Sequence, residues 1–300
     1  MARVLVTGAA GFTGRYVVPA LADLGHEVHG LVHGADRAAA VAGIAKTHEA
    51  DLADLDALAK VVEEVQPVHV VHLAAIAFVA HEDIEQMYRS NVVGTRQLLE
   101  ALSQVHVRPR SVLLASSANI YGNAAAGVLD ETATPAPVND YGVSKLAMEY
   151  VAALYRAKLP LTVVRPFNYT GRGQAENFLI PKIVAHARRR APFIELGNLD
   201  VARDFSDVRT VADAYVRLLS APDAVGGTFN ICSGRAVSLG DVVERVQAIS
   251  GHTMEVRVNP ALARPNEVRE LYGSAAKLEG AIGPLAAIEL DETLRWMLQD

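Results

Sequence analysis

A phenol and an ammonium one helical turn apart can share control of a proton. Residues 139–155, NDYGVSKLAMEYVAALY, set Tyr141 and Lys145 four positions apart. Val143, Leu146, Ala147, Tyr150, Val151 and Leu154 recur around them at helical spacing, so a helix with both side chains on one face is expected. Asn139 or Asp140 can cap its start, just after Pro137. An ammonium beside a phenol favours the phenolate and lowers the tyrosine pKa. Tyr141 is therefore a candidate proton donor and acceptor near neutral pH, tuned by Lys145. A YxxxK pair alone is common in helices; its weight comes from what the rest of the chain places around it.

A second stretch with chemical capacity lies near the start. Residues 2–6, ARVLV, read as a short buried strand; TGAAGFTG (7–14) and an amphipathic stretch to residue 24 follow. In such a strand–loop–helix, Gly8 permits the tight turn, Gly11 lets backbone approach a pyrophosphate, and Gly14 lets helix and strand pack closely. The helix amino terminus then offers N–H groups to phosphate oxygens.

The elements that must position these stretches alternate. Strand patterns fall at 27–32, 44–48, 68–72, 111–116 and 161–165, with helical patterns near 55–65, 84–104 and 139–155. That alternation predicts an α/β fold, a doubly wound parallel sheet of Rossmann type with ligands at the carboxyl ends of its strands. A dinucleotide-binding domain is expected over 1–165. A smaller carboxyl-terminal α/β substrate-binding region is expected over 166–300, with 204–232 returning to the Rossmann sheet. The net charge of −6 over 300 residues speaks against a nucleic-acid partner. No apolar run approaches membrane-spanning length and no leader is read before the first strand, so no membrane partner is expected. Cys232, the one cysteine, sits in the apolar run TFNIC and reads as packing; a reduced, cytoplasmic setting is expected. No metal site is read.

The loop spacing is GxxGxxG, and TGAAGFTG resembles the TGxxGFxG loop of the extended short-chain dehydrogenase/reductase family. The likeness runs through almost the whole chain and implies an NAD(P)-dependent oxidoreductase. It implies that Gly8, Gly11, Phe12, Thr13 and Gly14 hold the cofactor, with Asp51 and Leu52 at the adenine. It adds Leu73, Ala74 and Ala75 of HLAA against the cofactor, Asn91 of NVVGT as a positioning contact, and Pro166. His72 of the same segment reads as structural. In SSANIYG the resemblance makes Ser117 the hydroxyl that orients a substrate carbonyl, and Ser116 a cofactor contact. Ser117, Tyr141 and Lys145 are then the catalytic set: hydride passes between nicotinamide and a carbonyl carbon, Tyr141 moves the oxygen-bound proton, and Lys145 also holds the nicotinamide ribose. His33 stands where an NAD-binding acid is expected and Arg37 lies nearby, so NADP(H) is expected, with NAD(H) as the alternative.

The carboxyl-terminal half resembles nucleotide-sugar enzymes of the family. RPFNYTGRGQ (165–174) and GNLDVARDFSDV (197–208) are similar to the 4-keto-6-deoxyhexose reductases, in particular the GDP-4-keto-6-deoxymannose reductases. By position, Asn168 would contact the diphosphate, Arg203 and Arg264 phosphate or ribose oxygens, Lys182 a phosphate, and Glu267 ribose hydroxyls. Tyr169 and Arg172 depart from the pattern of those reductases. Dehydratases of the family carry acids just after the Ser/Thr, whereas Ala118 and Asn119 stand here and neither exchanges a proton near neutral pH. Ketone reduction is therefore expected, with a 4-epimerase or a non-catalytic NAD(P)-sensing protein as alternatives. The resemblance also implies a homodimer, built from the helices at 84–104 and 139–155.

Overall fold

The computed structural model of the chain describes residues 1–34, 41–79, 82–123, 127–262 and 268–299. Six strands open the chain: β1 (Arg3–Thr7), β2 (Glu27–Val32), β3 (Ile44–Glu49), β4 (His69–His72), β5 (Ser111–Ala115) and β6 (Leu161–Pro166). With β10 (Thr228–Ile231) they form one seven-stranded sheet in the order β10-β6-β5-β4-β1-β2-β3, every pairing parallel. The order reverses between β1 and β4, which opens a crevice at their carboxyl ends.

Side-chain alternation along the strands sorts the helices onto two faces. Val4 and Val6 of β1 pack with Val17 and Leu21 of α1 (Gly14–Asp23) and with Val211 and Tyr215 from further along the chain. Leu5 points the other way, to Leu58 of α2 (Leu55–Val65) and Leu98 beyond it. The long helix expected over 84–104 is broken into α3 (Ile84–Tyr88), a π-helical turn (Arg89–Gly94) and α4 (Thr95–Gln104). The Tyr141 helix, α5 (Asp140–Ala153), forms as expected, and the Asn139 side chain caps it by accepting from the Gly142 N–H at 2.8 Å.

After β6 the chain builds a second region. A small sheet orders β11 (Ala236–Ser238), β9 (Ala202–Asp207) and β13 (Glu270–Leu271), with β7 (Asn168–Thr170) also on β9. A separate pair joins β8 (Phe193–Leu196) to β12 (Glu255–Val258). Helices α6 (Leu179–Arg188), α8 (Leu239–Ser250) and α10 (Leu290–Leu298) enclose its core through Ile183, Val242 and Leu294. β9 belongs to this region, so the return to the large sheet starts at α7 (Val208–Leu219) rather than at residue 204 and continues through β10. Leu278 of α9 (Ala276–Ile282) joins the same face of the large sheet. Among the described residues no helix is long and apolar enough to cross a membrane.

Candidate active site

A cleft of about 1110 Å³ opens at the β1–β4 switch point, between the large sheet and the second region. Its floor is the glycine loop. Gly8 has φ +67°, and a Cβ there would lie 2.8 Å from the Ala74 nitrogen in the segment after β4. A Cβ on Gly14 would lie 2.4 Å from the Ala9 carbonyl oxygen. Both positions therefore exclude a side chain. Gly11, Phe12 and Thr13 line the cleft beside them, where α1 begins, so backbone N–H groups and the helix dipole face the space. This cradle fits the diphosphate of a dinucleotide. Leu73, Ala74, Ala75 and Pro166 also line the cleft, as expected of small or apolar residues against a cofactor.

Ser117, Tyr141 and Lys145 meet in this cleft from three directions. Ser117 follows β5, and its Oγ accepts from the Asn119 backbone N–H at 3.1 Å and from its Nδ2 at 3.2 Å. The Tyr141 phenol lies near this hydroxyl, which acts on its proton affinity. Lys145 Nζ donates to the Ala115 carbonyl at 2.8 Å. The tuning differs from the expectation. Burial raises the Tyr141 phenol well above its ordinary value, opposed by the Ser117 hydroxyl, and Lys145 does not lower it. Burial also brings the Lys145 ammonium down to about 8, while Glu149 acts in the opposite direction.

Several expected contacts sit elsewhere. Asn91 does not line the cleft. Its Oδ1 accepts from the Ile76 N–H at 2.8 Å, and its Nδ2 donates to the Ile76 carbonyl and the Ser144 hydroxyl, both at 3.0 Å. It fixes the segment after β4 onto α5 instead of touching a ligand. The Ser116 backbone borders the cleft, but its hydroxyl donates to Glu149 at 2.6 Å. His33 and Asp51 are exposed at the ends of β2 and β3, outside the cleft lining, and Asp51 Oδ1 accepts from the Ala53 N–H. Leu52 packs instead beneath Gly94 of the π-helical turn. Lys182 turns away: its Nζ donates to the Glu195 carbonyl at 2.8 Å, because Ile180, Ile183 and Val184 take the inner face of α6. Arg37, Arg264 and Glu267 lie outside the described residues.

On the substrate side, Asn168 and Arg203 do reach the cleft. Asn168 Nδ2 is buried with no partner among the described residues, as a donor reserved for a ligand oxygen would be. Arg203 is braced by its hydrogen bonds to the Ala202 and Arg269 carbonyls. Of the two residues after Ser117, Asn119 lines the cleft, whereas Ala118 is fully buried.

Three features were not expected from the sequence, Tyr169 having been noted only as a departure from the reductase pattern. Tyr169 hydrogen-bonds the Thr13 hydroxyl at 2.8 Å and stacks on Phe12, tying β7 to the glycine loop. Tyr215 of α7 lines the cleft with a buried hydroxyl that has no partner among the described residues. Glu149 and Arg165 form a buried pair behind Lys145. Glu149 was signalled by its spacing, eight residues after Tyr141 on the same helix face, and Arg165 by being a charge inside a buried-strand pattern. His72 is structural, as read. Thr95 Oγ1 gives its proton to the Asn91 carbonyl, so it must accept from His72 Nε2. Nδ1 then accepts from Thr7 Oγ1, and burial lowers the imidazole to about 3, so it stays neutral.

A Rossmann sheet whose switch-point cleft holds a glycine loop and a Ser/Tyr/Lys set defines an NAD(P)-dependent oxidoreductase of the extended short-chain dehydrogenase/reductase type. The chain belongs to the NAD dependent epimerase/dehydratase family, which it matches over residues 4–232. It is 35% identical over 281 residues to GDP-6-deoxy-D-talose 4-dehydrogenase of Aggregatibacter actinomycetemcomitans, covering 94% of this chain and 91% of that one. It is 34% identical over 230 residues to GDP-6-deoxy-D-mannose reductase of Pseudomonas aeruginosa, covering 74% and 75%. The solved structure of the Pseudomonas aeruginosa protein RMD, complexed with NADPH, aligns with a TM-score of 0.83 at 32% identity over 100% of this chain and 97% of that one.

Proposed function

We propose that the protein reduces the C4 ketone of a nucleotide-linked 4-keto-6-deoxyhexose, of the GDP-4-keto-6-deoxymannose type, with NADPH. The observation that carries this reading is the cleft itself. It gathers Ser117, Tyr141 and Lys145, and the position beside them holds the neutral amide of Asn119. Dehydration of a hexose nucleotide must remove the C5 proton and protonate the leaving C6 hydroxyl, which needs an ionisable group there. Reduction needs one hydride and one proton. The names of the two relatives, a 4-dehydrogenase and a reductase of GDP-6-deoxyhexoses, support action at C4.

A bound nicotinamide dinucleotide supplies hydride transfer at one ring carbon. The protein's share is orientation and proton delivery. Ser117 Oγ and Tyr141 Oη, which both line the cleft, together receive the C4 carbonyl oxygen. Tyr141, raised by burial, keeps its proton at neutral pH and gives it to that oxygen as charge develops there. Lys145, which titrates at about 8 and so is largely protonated in neutral solution, compensates the phenolate left behind. Asn168 Nδ2 and Arg203, which line the cleft, are then the donors to substrate diphosphate oxygens.

Preference for NADPH is supported by the exposed His33 at the end of β2, where NAD-specific proteins carry an acid. Purified protein with GDP-4-keto-6-deoxymannose should consume one NADPH per substrate, and with GDP-mannose and NADP⁺ it should form no 4-keto-6-deoxy product. Water elimination from GDP-mannose would refute the proposal. Interconversion of 4-hydroxy epimers without net NADPH loss would refute it in favour of a 4-epimerase, an activity named for a Streptomyces lividans relative 31% identical over 305 residues.

A further inference from the structure

Behind the three residues that face the cleft lies a buried charged group that the proposed reaction leaves without a role. Tyr141, Lys145 and Glu149 follow at intervals of four along α5 and share one face of it. Glu149 is almost fully enclosed, with a side chain 11% exposed. Its Oε1 accepts from Arg165 Nε at 3.0 Å and from Ser116 Oγ at 2.6 Å, and its Oε2 accepts from Arg165 Nη2 at 2.7 Å. Arg165 Nη1 donates to the Tyr121 hydroxyl at 3.0 Å, which in turn donates to Asn230 Oδ1 at 2.7 Å. A single carboxylate thus joins α5 to the ends of β5 and β6, and through Tyr121 to β10.

A buried ion pair of this kind is a poor source of stability, because desolvation offsets most of the attraction. What its geometry does provide is position. Ser116 adjoins Ser117, so the Glu149–Ser116 bond fixes the turn that carries the carbonyl-orienting hydroxyl. The charges facing Lys145 come from three elements. β4 contributes His72, which is neutral, β5 contributes the Ala115 carbonyl, and α5 contributes Tyr141 and Glu149. Among the described residues Glu149 is the anion that acts on Lys145.

We propose that Glu149, clamped by Arg165 one helical turn along α5 from Lys145, is a positioning residue that sets a buried anion behind the ammonium and fixes the Ser116–Ser117 turn against α5. Its catalytic consequence rests on the reading of Tyr141 and Lys145 given above; its effect on Lys145 does not.

The test uses full-length protein with ¹³Cε-labelled lysine, the Lys145 resonance being assigned by loss in Lys145→Arg. In Glu149→Gln, Lys145 should titrate about one unit lower than in the unmodified protein. Because that substitution leaves the Arg165 guanidinium buried and unpaired, the double variant Glu149→Gln/Arg165→Gln is measured alongside; loss of the cation offsets part of the effect, so Lys145 should still titrate lower there, by less than in the single variant. Turnover in Glu149→Gln should then fall about twofold near pH 7 and approach tenfold above pH 9, with a smaller loss of the same pH dependence in the double variant, which simple loss of packing does not produce. An unchanged Lys145 titration in a folded variant overturns the proposal. A lowered titration with unchanged turnover at every pH keeps the Glu149–Lys145 coupling and instead removes the pair from the mechanism.

Discussion

Replacing Lys145 by methionine should make the protein more stable and less active, and the gain should depend on pH in a defined way. Lys145 is 4% exposed, so water screens its charge little. Its ammonium titrates at about 8 in the folded chain against 10.5 when free. Between those values the unfolded chain holds a proton that the folded chain has released, so stability of the unmodified protein rises with pH across that window. Below pH 8 both states are protonated and the burial penalty is fully present. A gap of about 2.5 units corresponds to about 3 kcal/mol. Methionine fills similar volume without charge and escapes that penalty, but it forfeits the hydrogen bond to the Ala115 carbonyl, which offsets about 1 kcal/mol. Lys145→Met should therefore be more stable by about 2 kcal/mol at pH 7 and lose that advantage by about pH 10.5. Urea denaturation of both proteins at half-unit steps from pH 7 to 10.5 measures it, and titrations common to both proteins cancel in the difference. A stability difference that does not change with pH would refute the reasoning, since it would show that Lys145 is not depressed by burial.

Tyr141→Phe should cut turnover by about 10²-fold while NADPH still binds, measured by fluorescence titration beside steady-state kinetics; near-normal turnover would remove Tyr141 as proton donor. Tyr215→Phe removes a buried hydroxyl that has no partner among the described residues, so the melting temperature should hold or rise, by about 1 kcal/mol in stability; a clear loss would show that the hydroxyl is satisfied by an ordered water. Arg37→Ala should raise the KM for NADPH more than that for NADH, and equal effects would argue against a 2′-phosphate site. Val143 and Tyr150 of α5 and Leu154 just after it are exposed, Leu154 by 75%, and Ile84 of α3 and Val93 of the following turn are also exposed. A second copy of the chain covering these helices is expected, and sedimentation at micromolar concentration should give a dimer; a monomer would count against it.

Spacing along the chain carried the glycine loop, the alternating strands and the Tyr141–Lys145 pair, because each is set by residues within about one element of one another. Carry-over by position put Lys182 at a phosphate, whereas its neighbours at 180, 183 and 184 take the buried face of α6 and its side chain is turned to the Glu195 carbonyl. Asn91 was expected as a contact that positions the cofactor, but its partners Ile76 and Ser144 lie 15 and 53 positions away, and only the fold shows its amide engaged with them. Tyr169 and Tyr215 were illegible for the same reason, since β7 and α7 reach the glycine-loop side of the cleft only once the second region has folded.

The reversal at Tyr141 is the most instructive of these departures. Sequence could show that an ammonium lies one turn away, but not that strand ends and α5 close around the phenol until it is 7% exposed. Burial penalises the phenolate directly, while Lys145 is engaged by the Ala115 carbonyl and is itself weakened as a cation by the same burial. The two groups therefore do not form a poised phenolate–ammonium pair. They form a protonated phenol with a cation in reserve, and that cation becomes useful only when negative charge appears on the tyrosine oxygen. On the function proposed above, that phenol gives its proton to the C4 carbonyl oxygen as hydride arrives, and the reverse reaction returns it.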